Sequence, residues 1–71
     1  MPEDRQVSPE LQPLRKWIHD LNNRVGVILA TAELLQLEQL SPKAGDRSRT
    51  IEQKALEVRE ILIAMANHYF E

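Results

Sequence analysis

Seventy-one residues, 42% hydrophobic and 28% charged, are enough for one small domain. Two glycines and 4% aromatics disfavour a β-rich fold, and the absence of cysteine removes disulfide and thiol chemistry. A net charge of −2 with both signs interspersed argues against a nucleic-acid partner, and no apolar run approaches the ~20 residues of a membrane helix, so this segment is expected not to insert into a membrane.

Residues 1–8 are polar and aperiodic and read as a flexible tail. Met1-Pro2-Glu3-Asp4-Arg5 has no apolar stretch behind a basic start, so a signal peptide is not expected and the cytoplasm is the expected home. Ser8-Pro9-Glu10 carries a capping hydroxyl, a proline and an acid in the order of a helix start. Pro13 would clash with a carbonyl four residues back, so the helix proper is expected to begin there, after a separate turn.

From that point Leu11, Leu14, Ile18, Leu21, Val25, Ile28, Ala32 and Leu35 recur in alternating steps of three and four. This heptad seam predicts a helix over about 13–40. Gly26 lies off the seam and costs about 1 kcal/mol relative to alanine. Ser41-Pro42-Lys43-Ala44-Gly45-Asp46 interrupts the pattern, which predicts a loop over about 41–45. A second run, Ile51, Ala55, Val58, Leu62, Met65 and Tyr69, predicts a helix over about 46–70. The short connection makes the two helices antiparallel neighbours, so residues 9–71 form one helical hairpin.

Each helix carries more apolar surface than one partner can cover. Trp17, Leu29 and Leu34 flank the first seam, and Leu56, Ile61, Ile63 and Phe70 the second. A chain this short, without disulfides, seldom builds a sufficient core alone. The expected fold is therefore all-α, an antiparallel hairpin that homodimerises into a four-helix bundle.

Heptad phase also locates a polar group. With Leu11, Ile18, Val25 and Ala32 at position a and Leu14, Leu21, Ile28 and Leu35 at d, His19, Asp20 and Asn23 fall at outward positions and Asn22 at e. His19 is expected to be accessible, with Arg15, Lys16, Asn22 and Asn23 three or four residues away on the surface. A neutral imidazole can act as a nucleophile, an adjacent carboxylate can manage its proton, and Arg15 or Lys16 can offset phosphoryl charge. Spacing alone leaves such a histidine an ordinary surface residue.

The run His19-Asp20-Leu21-Asn22-Asn23, followed by Val25-Gly26-Val27-Ile28-Leu29 and Ala32-Glu33-Leu34-Leu35, resembles the phosphoacceptor motif of sensor histidine kinases of the HDLNN type. The resemblance is specific over Trp17 to Leu35 and generic over the second helix. It implies a dimerisation and histidine-phosphotransfer domain of a two-component system, in which His19 accepts a phosphoryl group and passes it to, or takes it from, a response-regulator receiver aspartate. By the same resemblance Asp20 assists proton removal. Asn23 matches a position that in several members supports phosphatase activity by placing a water, and Asn22 matches the motif without an assigned role. The receiver is expected to dock around Lys16, His19, Asn22 and Asn23.

Arg24 stands where many family members carry a proline, which implies a straighter helix. The chain has no Gly-rich phosphate loop, so it is expected to bind no cofactor itself. ATP and magnesium belong to a separate catalytic domain, met in cis or in trans. The chain then serves either as the phosphoacceptor part of a larger kinase or as a stand-alone phosphotransfer protein. The competing reading is a structural homodimerisation module without chemistry. His68 is expected to do no more than favour the negative end of the second helix, and His19 and His68 are too sparse for a metal site.

Overall fold

The computed structural model describes residues 9–70, so the tail and the proposed Ser8 cap lie outside the described residues. Two helices, α1 (Gln12–Leu35) and α2 (Pro42–Phe70), pack against each other as a hairpin. The molecule is a rod of 57 × 15 × 15 Å. Among the described residues there is no strand, and no helix is long and apolar enough to cross a membrane.

Pro9 and Glu10 form a turn before α1, as the Pro13 argument expects, and Pro13 sits in the first helical turn where it breaks no hydrogen bond. The expected end of the first helix needs correction. The sequence pattern carries it to 40, whereas α1 stops at Leu35. Leu37 and Glu38 turn back with tight bonds to the carbonyls of Leu34 and Leu35, at 3.0 and 3.1 Å.

The expected loop over 41–45 is corrected for the same reason. Ser41 caps α2: its Oγ accepts the Ala44 N–H at 3.2 Å, and its carbonyl accepts the Gly45 N–H at 2.8 Å. Pro42 opens α2, where its missing N–H costs nothing. Gly45 and Asp46 lie inside the helix, so Ser41-Pro42 marks its start and the connection is 36–41.

The seam divides. Ile18, Val25 and Ala32 of α1 are buried, as are Ser48, Ala55 and Leu62 of α2. All six repeat at seven-residue spacing. Leu14, Leu29, Met65, Ala66 and Phe70 pack around Ile18, Val25, Ala55 and Leu62 of this spine. The d positions are only partly consumed: Leu14 and Leu35 are half-buried. Leu21 and Ile28 remain 49% exposed, and Ile51 and Val58 of the second run are 45% and 42% exposed. Ser48 takes the place that the periodicity gives to an apolar residue. Its hydroxyl donates to the Ala32 carbonyl at 2.9 Å, and Gln36 donates to Glu52 across the same end of the hairpin at 2.9 Å. These two bonds fix how the helices lie along each other, and at the far end the Arg15 guanidinium meets Phe70.

Candidate functional site

Helical geometry puts two different surfaces on either side of the Ile18–Val25–Ala32 line. Three residues from Ile18, Leu21 faces one flank; four residues on, Asn22 faces the other. Trp17, Leu21 and Ile28 make the first flank apolar, with Trp17 59% exposed. His19, Asn22 and Asn23 occupy the second.

His19 is exposed, as the heptad phase requires. The Asn23 amide lies 3.3 Å from its Nε2. With the amide nitrogen as donor, Nε2 is the acceptor and the ring proton sits on Nδ1. In that tautomer Nε2 carries the lone pair that a nucleophile needs, and Asn23 is its only partner among the described residues.

Asp20 follows His19 directly, yet a helix turns about 100° between neighbours. Its carboxylate accepts from Lys16 at 3.2 Å and makes no hydrogen bond to the His19 ring. Arg24 donates to the Asp20 carbonyl at 3.2 Å. Lys16 and Asp20 thus form a pair of their own beside the His19–Asn23 pair.

An open cleft of about 420 Å³ lies between the helices beside His19. Arg15, His19 and Asn22 of α1 form its polar edge. Ile18 and Leu62 lie at its floor, and Ile63, Ala66 and Phe70 of α2 form the apolar wall. Asn22 therefore stands with His19 and not with the core. Its Oδ1 is buried and has no hydrogen-bond partner among the described residues. An orphaned acceptor of this kind costs about 1–3 kcal/mol.

Arg15 lies one turn before His19, and its guanidinium sits over the Phe70 ring, 4.6 Å from the centroid. The heptad pattern leaves the α2 wall unread, because Phe70, Ile63 and Ala66 lie beside its seam. Only the register set by Ser48 and Ala32 brings them level with Arg15 and His19. His68, in the last turn of α2, meets Tyr69 edge-on at 4.6 Å and does not line this cleft. Among the described residues no three His, Asp or Glu side chains gather where a metal ion could be held.

No family model matches the chain, and comparison with curated proteins and with solved structures finds no similar protein.

Proposed function

We propose that this chain is a homodimeric phosphotransfer module of a two-component system, with His19 as its phosphoacceptor. The single observation that carries the reading is an exposed histidine whose Nε2 is held by Asn23 within the HDLNN run, at the edge of an open cleft. The lone pair of Nε2 forms an N–P bond while the acyl O–P bond of a receiver aspartyl phosphate breaks and the aspartate leaves as its carboxylate. In the reverse direction the same two bonds exchange roles. A separate ATP-binding domain would supply the phosphoryl group with ADP as the leaving group.

Within this reading each polar neighbour has a task. Asn23 releases Nε2 as the phosphoryl group arrives, and later its amide can hold a water for hydrolysis. Asp20 takes the ring proton through water, since it has no direct bond to the ring. The receiver docks over the His19 flank, meeting Lys16, Asn22 and Asn23. The opposite flank, with Leu21, Ile28, Ile51 and Val58 exposed, supports pairing with a second copy into a four-helix bundle.

The test is chemical. Incubation with a phosphorylated receiver or a partner kinase is expected to place acid-labile, base-stable label on the wild-type chain and none on His19→Ala. Equal behaviour of the two would leave only a structural dimerisation module.

A further inference from the structure

The cleft beside His19 holds a cation whose position depends on the other helix. Arg15 and His19 are four residues apart on α1 and line the same cleft. Lys16, the other candidate for balancing phosphoryl charge, is engaged by Asp20 on the adjoining face. Arg15 instead sits over the Phe70 ring. That ring is anchored in turn, because Phe70 packs against the buried Ile18–Val25–Ala55–Leu62 cluster. A guanidinium over an aromatic face is held by the ring quadrupole while its N–H edge stays available to an anion.

We propose that Arg15 and Phe70 form an anion clamp beside His19, in which the α2 ring fixes the α1 guanidinium where it meets the oxygens of a phosphoryl group or phosphate ion. The clamp deepens the phosphoacceptor reading and takes its ligand class from it. In phosphoryl transfer the negative charge spreads over three equatorial oxygens, and a cation already in place lowers the cost of gathering that charge at His19. Arg15 would touch the phosphoryl group. Phe70 is a positioning residue that acts through Arg15. The arrangement also gives the end of α2 a task that its heptads do not reveal.

Two measurements on the full chain test the clamp. Inorganic phosphate is titrated while the side-chain resonances of Arg15 and His19 are followed by NMR, and phosphoramidate, a small phosphodonor, is used to label His19. Arg15→Gln is expected to raise the half-saturating phosphate concentration and slow labelling about tenfold, without changing helix content. Phe70→Leu should weaken both about two- to fivefold and move the Arg15 Nε–H resonance, whereas Phe70→Trp should restore them. An unchanged phosphate response in Arg15→Gln overturns the clamp, as does a Phe70→Leu chain that behaves as wild type. Wild-type labelling indifferent to Arg15 would keep the His19 reading and remove the clamp. Phosphate binding that needs Arg15 and Phe70, with no label on His19, would keep the clamp and remove the His19 reading.

Discussion

The Ser48 hydroxyl donates to the Ala32 carbonyl at 2.9 Å, and Ser48 is the largest fully buried side chain among the described residues. The same carbonyl accepts the Gln36 N–H at 3.2 Å, so one acceptor both closes α1 and ties it to α2. Ser48→Ala removes the cross-helix bond but leaves the carbonyl with a partner. The expected loss is about 1 kcal/mol. Ser48→Leu forces extra volume into a closed contact and should cost about 1–3 kcal/mol. Urea denaturation at one fixed protein concentration checks both, since association with a second copy would otherwise shift the midpoint.

Asn23 is expected to restrain the nucleophile as well as serve it. Removing the amide in Asn23→Ala frees Nε2 of a hydrogen bond worth about 1 kcal/mol, so labelling of His19 by phosphoramidate should rise about fivefold. Loss of the label by hydrolysis should slow in the same variant. A slower initial labelling rate would show instead that the amide holds the ring in its productive orientation.

The apolar flank is expected to set the association state. Leu21, Ile28, Ile51 and Val58 each stand to gain about 1.5–3 kcal/mol on full burial, and less from their half-exposed start. Wild-type chain should sediment at twice the chain mass at micromolar concentration. Ile28→Asp with Val58→Asp should sediment as a single chain, while the His19 flank stays intact. A wild-type chain that remains folded and monomeric at high concentration would contradict the bundle.

Gly26 gives a contrasting case. A Cβ there would lie 3.4 Å from a terminal guanidine nitrogen of Arg59, which is ordinary contact with the far end of a flexible side chain. The glycine costs about 1 kcal/mol of helix propensity. Gly26→Ala should therefore stabilise the hairpin by about 0.5–1 kcal/mol in the same urea assay. A loss of stability would mean that the Arg59 seat matters more than propensity.

Two helices, their order and the outward phase of His19 are all legible in the sequence, because period and phase are local properties of one helix. The helix ends are less legible. Ser41-Pro42 carries both loop and helix-start chemistry, and only the bond from the Ala44 N–H to Ser41 decides between them. Which half of the seam is buried inside one hairpin is likewise hidden, since positions a and d look alike until a partner helix chooses a. At the site, the His19–Asn23 contact follows from four-residue spacing. The Arg15–Phe70 contact does not, because it depends on the register between helices 55 residues apart in sequence at that point. Asp20 illustrates a third limit. Sequence adjacency to His19 suggests a shared task, while the helix aims the two side chains apart and leaves the carboxylate with Lys16.

The buried spine also has a gradient. On α1 it runs from Ala32 near the connection through Val25 to Ile18 beside the cleft, and on α2 from Ser48 through Ala55 to Leu62. Small side chains let helix axes come close, and larger ones hold them apart. The small side chains of Ala32 and Ser48 thus lie at the connection end, and the largest of the spine, Ile18 and Leu62, line the cleft where His19 stands. From Ala32 to Ile18 the lever arm is about 21 Å at 1.5 Å per residue. A change of about 5° in the angle between the helices at Ala32 becomes about 2 Å at Ile18, one turn from the Arg15–Phe70 contact.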